Sequence, residues 1–384
     1  MKLKHWETST SYAPWPHFAP DEIEAAMRVL QSGKVNYWTG QEGLSFEKEF
    51  AEFVGCKHAI ALSNGTVALE LALYALGIGP GDEVITTSRT FIASASSVVA
   101  AGARPVIADV DHESQNLTAG TIEPLITRHT KAIITVHLAG WPCEMDRIME
   151  LARQHGLKVV EDCAQAQGAM YKGKRVGSIG DVAAFSFCQD KIMTTGGEGG
   201  MLTTTDSEVW QRAWSHKDHG KSYDAVYNRE HPIGFRWLHE SFGTNGRMTE
   251  MQAAIGRVEL RNIDQLNEHR RRIAARYTER LSGIVKTPPE KEWAHAVYHM
   301  YVIRSERRDE LAKHLQSKGI GTGIHYPVAN HQQPAITKIY SNLPKLPKTE
   351  AAVQEILSLP IYGELPLEDV DYVCDGILEF LGKR

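Results

Sequence analysis

Apolar residues follow two rhythms along this chain. Short continuous runs of strand length alternate with longer stretches in which apolar positions recur at helical spacing. Residues 58–62, 83–87, 104–110, 131–137, 158–162, 182–187 and 201–205 read as strands, and residues 66–76, 91–101 and 144–155 read as helices between them. Upstream, residues 21–30 read as a helix with an acidic first turn and Gly33 as its stop, and residues 44–54 carry apolar side chains at helical spacing. Strands that are apolar throughout, rather than alternating, are those buried on both faces. The pattern therefore predicts an α/β fold with a largely parallel sheet covered by helices on each side.

The character changes near Arg247. Residues 249–280 predict one long helix, apolar at first (MQAAIGRVEL) and then highly charged (EHRRRIAARYTER). A strand-like stretch at 299–304 and helix-like stretches at 308–318 and 367–380 follow. We expect a large domain over 1–248 and a smaller C-terminal α/β domain over 249–384, joined by the long helix; 384 residues suffice for two or three domains.

Composition narrows the class. Hydrophobic residues are 42% and charged residues 23%, and the net charge is -5, so neither a packed core is lacking nor is a nucleic-acid partner suggested. No apolar run is long enough for a signal peptide or a membrane span, so we expect a cytoplasmic protein with no membrane partner. Five scattered cysteines without a CxxC pair argue against a disulfide framework or a zinc site.

In open α/β sheets, ligands sit beyond the carboxyl ends of the strands, and four polar features fall there. Ser63-Asn64-Gly65-Thr66 between strand and helix suits an anion at a helix N-terminus, or a plain helix cap. Phe91, after Thr90, can stack on a planar ring or fill the core. Glu161-Asp162 ends an apolar run, where buried carboxylates must be paired or functional. An aspartate there can keep a pyridine nitrogen protonated; metal binding is the rival, but no histidine or cysteine stands at ligand spacing. Last, Ser186 is the single hydroxyl in the strand 182–187, Lys191 follows four residues past that strand in a polar loop, and Gly196, Gly197, Gly199 and Gly200 allow close approach or φ > 0. A lysine at such a strand end can hold a carbonyl as a Schiff base, or can be a solvated loop lysine. An anion site, a ring face, a pyridinium partner and a Schiff-base lysine are together what pyridoxal 5'-phosphate requires.

These stretches also carry a resemblance. SNGTVAL at 63–69, TFIASAS at 90–96, EDCAQAQGA at 161–169, FSFCQDK at 185–191 and TNGRMTEMQAAIG at 244–256 resemble the DegT/DnrJ/EryC1/StrS family of sugar aminotransferases. The likeness runs from Trp38-Thr39-Gly40 to Leu357-Ser358-Leu359-Pro360. It implies the aspartate-aminotransferase fold (fold type I), with a mixed seven-stranded sheet and a smaller C-terminal domain. It makes Lys191 the Schiff-base lysine and Asp162 the partner of the pyridine nitrogen. Gln165 falls near the ring hydroxyl, Phe91 on the ring face, and Gly65, Thr66 and Ser186 at the phosphate. Asn245 is implied to reach the phosphate of a neighbouring subunit, which requires a homodimer with shared active sites. Trp38, Thr39, His325 and Tyr326 are implied to lie near the substrate. Thr244 and Gly246 stand where the family usually has aromatics, and TTGGEGG carries one glycine more than the family's usual form.

The implied reaction is ping-pong: glutamate gives its amino group, which passes to a keto group of a nucleotide-linked (dTDP, UDP or GDP) deoxy sugar, for cell-surface polysaccharide or a secondary metabolite. Family dehydratases carry histidine at the lysine position, and Lys191 argues against that chemistry. A lyase acting on amino acids and a non-catalytic regulator that keeps the fold are the alternatives.

Overall fold

The computed structural model describes residues 15–230, 238–340 and 342–383. Seven strands form the central sheet: β1 (His58–Leu62), β2 (Glu83–Thr87), β3 (Arg104–Ala108), β4 (Thr130–Val136), β5 (Lys158–Asp162), β6 (Val182–Ser186) and β7 (Gly200–Thr204). Their order across the sheet is β1-β7-β6-β5-β4-β2-β3. All neighbours are parallel except β7, which runs antiparallel to β1 and β6. The sheet is thus mixed. Because β7 enters where the others leave, Gly200 at its start pairs with both Leu62 and Ser186, the last residues of β1 and β6. Three of the expected strands match the observed ones throughout, and the other four end within two residues of them.

Each face of the sheet carries its own core. Along β6, Ala183 and Phe185 join Phe46 and Phe50 on one face, while Val182 and Ala184 join Leu69 and Leu73 on the other. The pleat imposes this alternation even where every residue is apolar. The helices that cover the sheet include α1 (Pro20–Ser32), α2 (Glu42–Val54), α3 (Gly65–Ala75) and α4 (Ala93–Ala100). Gly33 ends α1 with φ 67°, a conformation that favours glycine.

The long helix α5 (Glu250–Leu281) has 32 residues and starts with a capping box: Thr249 Oγ1 accepts the Gln252 N–H, and Gln252 Oε1 accepts the Thr249 N–H. It serves two cores. Ala253, Leu260 and Ile263 pack beneath the sheet, whereas Ile273, Ala274, Tyr277 and Leu281 belong to a second cluster. That cluster also holds the antiparallel pair β8 (Tyr301–Arg304) and β9 (Ile356–Leu359), with α6 (Arg308–Ser317) and α7 (Leu367–Phe380) against it. Among the described residues, no helix is long and apolar enough to cross a membrane.

Candidate active site

β5 delivers two adjacent carboxylates to opposite sides of the sheet. Glu161 is fully buried, and its oxygens accept N–H groups from Gly177, Ile179 and Gly180 at 2.7–3.0 Å. His137 Nε2 lies 3.0 Å from Glu161 Oε2, and His137 Nδ1 accepts the Cys143 N–H. Since a backbone amide can only donate, the imidazole proton sits on Nε2 and points at Glu161. Burial pushes the Glu161 carboxyl up, but His137 and the amides outweigh it and hold it below its usual value.

Contrary to the expectation from spacing, a histidine and a cysteine do lie near this pair: His137, Glu161 and Cys163 bring possible ligand atoms within 4.8 Å of one another. Both imidazole nitrogens and both carboxylate oxygens are already committed to the contacts just described. The trio therefore reads as a structural network rather than a metal centre.

Asp162 faces the other way. Its Oδ2 accepts the Ser94 hydroxyl at 2.8 Å and its Oδ1 the Ala164 N–H at 3.1 Å. Ser94 lies in the first turn of α4, three residues after Phe91, and also meets the Thr90 hydroxyl at 3.1 Å. Burial raises the Asp162 carboxyl above its usual value, while Ser94, Ala164 and the charge of Lys191 pull it down without prevailing. Such a carboxylate is stabilised by a cation delivered to it, as a protonated ring nitrogen would be.

Two close approaches build the neighbouring cradle. A Cβ on Gly65 would stand 2.7 Å from that of Ser186, and one on Gly200 would stand 2.4 Å from the carbonyl carbon of Asn64. Glycine at both positions lets the start of α3 press against the end of β6. Asn64 caps that helix by accepting the Val67 N–H at 2.9 Å, leaving the first amides of the helix beside the Ser186 hydroxyl, a suitable arrangement for a phosphate. Lys191 follows β6 in a tight loop whose N–H bonds the Cys188 carbonyl at 3.0 Å. Its side chain is 13% exposed, and Nζ lies 3.0 Å from Asp190 Oδ2. Gly196 and Gly197, with φ 84° and 123°, fold the loop back onto β6.

A second group is formed by Phe91, Gln165 and Tyr326. Phe91 is 56% exposed, unusual for a phenylalanine amid buried neighbours, and its ring centroid lies 5.9 Å from that of Tyr326. Gln165 is oriented at both ends: Oε1 accepts the Ala139 N–H at 2.7 Å, and Nε2 donates to the Tyr326 hydroxyl at 3.2 Å. The Tyr326 phenol is pushed up to about 12 by burial, with Asp190 and Asp162 adding to the effect. His325 Nδ1 is 2.9 Å from the Ser358 hydroxyl, and burial lowers its basicity.

Three sequence candidates stand apart from this group. Trp38 packs edge-on against Trp214, with Lys221 Nζ 4.6 Å from its ring centroid. Thr39 is exposed and donates to the Asn36 carbonyl. Asn245 is exposed beside the end of β1, where the Gly246 carbonyl accepts the Ser63 N–H at 2.9 Å. Sequence reading missed Ser94, Ala139 and Arg89. Only Ser94 left a signal, its four-residue spacing from Thr90 at the start of a helix.

The chain is similar to known proteins over nearly all of its length. The profile of the DegT/DnrJ/EryC1/StrS aminotransferase family matches residues 16–378. The chain is 39% identical to the pleiotropic regulatory protein of Geobacillus stearothermophilus, over 94% of each chain. It is 40% identical to the dTDP-3-amino-3,4,6-trideoxy-alpha-D-glucose transaminase of Streptomyces venezuelae, over 94% of this chain and 92% of that one. The solved aminotransferase of Psychrobacter cryohalolentis superposes with a TM-score of 0.92 at 44% identity, covering 97% of this chain and 99% of that one. With a match that spans nearly all of its length, the chain belongs to the DegT/DnrJ/EryC1/StrS aminotransferase family.

Proposed function

We propose that this protein is a pyridoxal-phosphate-dependent aminotransferase that moves the amino group of glutamate to a keto group of a nucleotide-linked deoxy sugar. The observation that carries the reading is the convergence of Lys191, Asp162 and the Gly65–Ser186 cradle on one sheet edge. The residues fit the cofactor. The first amides of α3 and the Ser186 hydroxyl suit its phosphate, buried Asp162 suits its ring nitrogen, and exposed Phe91 offers a ring face. When bound, pyridoxal phosphate supplies an electron sink for bond breaking at the amino-bearing carbon.

The chain's own residues do the rest. Asp162 keeps a proton on the ring nitrogen, and Ser94 fixes the carboxylate's orientation. Lys191 Nζ holds the cofactor between turnovers and carries a proton to and from the reacting carbon. Gln165, oriented by Ala139 and Tyr326, serves the ring hydroxyl, and Phe91 shields one face from water. The exposed position of Asn245 suits a contact to the cofactor phosphate of a second copy, so the working unit is a homodimer with shared sites. His325 and Tyr326 are assigned to the sugar nucleotide; Trp38 and Thr39, which stand apart from them, are assigned to it by the family resemblance alone.

The test is purified protein with pyridoxal phosphate, glutamate and a panel of dTDP-, UDP- and GDP-linked keto sugars, followed by mass spectrometry. Amination of a nucleotide sugar is expected, with the free sugar at least about a hundredfold less efficient because remote binding energy orients the reacting carbon. Equal use of free sugar sinks the substrate assignment. The regulatory name of the Geobacillus relative favours a second reading, a cofactor-binding regulator. A protein that binds the cofactor but converts no keto sugar with any amino donor would bear that out instead.

A further inference from the structure

A cavity of about 60 Å³ has Arg89, Gln115, Ala139, Tyr298, Met300 and Arg304 among its lining residues, with Glu113 and Lys286 as further charged groups on its wall. Three features set it apart. First, Gln115, Ala139 and Tyr298 hold left-handed backbone at φ 60°, 58° and 48°. Non-glycine residues in that region carry strain that tends to gather at ligand sites. Second, Arg89 is 3% exposed, donates from Nη1 to the His325 carbonyl at 2.5 Å, and has no partner for Nε among the described residues. Third, the other lining arginine is already neutralised: Arg304 pairs with Glu355 at 2.8 Å. No carboxylate reaches Arg89 in the same way among the described residues.

A buried cation without an anion is costly, and the cost is removed when a ligand brings the charge. Burial depresses the Arg89 guanidinium to about 10, opposed by Tyr326 and aided by Arg304, so it stays a cation at neutral pH. The cavity also adjoins the reaction site: Ala139 orients Gln165, and Arg89 holds the peptide that carries Tyr326. Its volume is that of about two waters. A carboxylate fits such a space, whereas a nucleotide diphosphate does not.

We propose that Arg89 binds a carboxylate of the amino-acid donor, which makes it a determinant of donor specificity. This rests on the aminotransferase reading above. Gln115 Oε1 on the same wall, without a partner among the described residues, takes a water that accompanies the carboxylate.

The test uses holoenzyme and glutarate, a dicarboxylate with no amino group, titrated by calorimetry into wild type, Arg89→Gln and Arg89→Lys. Wild type is expected to bind glutarate saturably. Arg89→Gln should weaken binding by about 10- to 100-fold, as expected for loss of a charge-assisted pair, and Arg89→Lys by less. Half-saturation by glutamate should rise in parallel, while cofactor affinity and half-saturation by the keto sugar change less than about twofold on the same scale. If Arg89→Gln does not fold, Arg89→Lys carries the comparison, with its weaker point-charge contact expected to raise the glutarate Kd measurably. Three results overturn the proposal: no glutarate binding by wild type, unchanged glutarate binding in a folded variant, or donor and sugar affinities falling together, as a mere clamp on His325 would cause. Failure of the aminotransferase reading is distinct, because wild type would then transfer no amino group from glutamate whether or not it binds glutarate.

Discussion

Glu161 and Asp162 are consecutive residues of one strand, yet one is locked into a structural network and the other faces the reaction site. Glu161 accepts from His137 and three backbone amides, Asp162 from Ser94 and one. Opposite outcomes are expected for their amide variants. Glu161→Gln replaces an acceptor with a donor in a pocket full of donors and should destabilise the chain by about 3 kcal/mol or more. Because Glu161 titrates below its usual value, its contribution is present above the ordinary carboxylate range and is lost as pH falls through the folded value. Urea unfolding of wild type and variant should therefore converge at low pH.

Asp162→Asn should behave in reverse. The Asp162 carboxyl is raised, so any stability it lends is full below the ordinary aspartate range and is lost as pH rises through the folded value. Cofactor-free Asp162→Asn is expected to melt at or above the wild-type temperature at neutral pH, and the two should converge in acid. Function should suffer regardless: proton removal in single turnover with glutamate should slow by on the order of a hundredfold or more. A rate within a few-fold of wild type would remove Asp162 from the mechanism.

Lys191→Ala should abolish the cofactor's Schiff-base absorbance and turnover with little effect on folding. The ion pair it loses has Asp190 as its partner, whose side chain is 62% exposed, and screened pairs of this kind contribute about 1 kcal/mol or less. Absorbance spectra and thermal melts on the same sample decide this; a wild-type spectrum in the variant refutes the assignment.

Gly65→Ala probes the cradle. The added methyl would fall 2.7 Å from Ser186 Cβ, and overpacking of that kind costs about 1–3 kcal/mol, outweighing the roughly 1 kcal/mol that alanine gains in a helix. Cofactor affinity should drop at least about tenfold, in line with that loss. Adding Ser186→Gly should restore stability by removing the facing methylene, but not affinity, because the hydroxyl goes with it. Calorimetric melts and cofactor titrations of the two single variants and the double variant form the cycle that checks this.

How much of this was legible in sequence varies with the physics. The sheet strands were readable because continuous apolar runs of five to seven residues are rare outside buried sheets. The antiparallel direction of β7 was not readable from periodicity, since burial on both faces erases the period-two signal; only the family likeness implied a mixed sheet. The helix Ser207–Lys217 went unnoticed among polar residues, although Val209 and Ala213 stand four apart. Lys191, Asp162 and Ser186 stood out because polar groups that end apolar strands demand a reason. Glu161 looked equivalent to Asp162, and only His137 and the loop 177–180, distant in sequence, separate their roles. Arg89 was invisible for the same reason, because its isolation depends on the carbonyl of His325 and on the carboxylates that do not reach it.

The shared-site proposal makes the most discriminating prediction. Asn245 is exposed, and its backbone is fixed by a bridge to Asp218, which lies buried with Lys221 at 3.0 Å and Arg247 closer still. The side chain is thus presented on a rigid support rather than a loose loop. If it holds the cofactor phosphate of a second copy, each site joins Lys191 of one chain to Asn245 of the other. A heterodimer of Lys191→Ala and Asn245→Ala chains then has one site with both defects and one with neither. Differently tagged chains, co-expressed and purified through both tags, should show about half the wild-type activity per dimer, although each homodimer alone is inactive or cofactor-weak. If Asn245 instead serves its own chain, every site in the heterodimer carries one defect and activity stays at the level of the Asn245→Ala site. Absence of recovery in verified heterodimers would therefore place Asn245 in its own subunit's site, or outside the site altogether, and would remove the argument for an obligatory dimer.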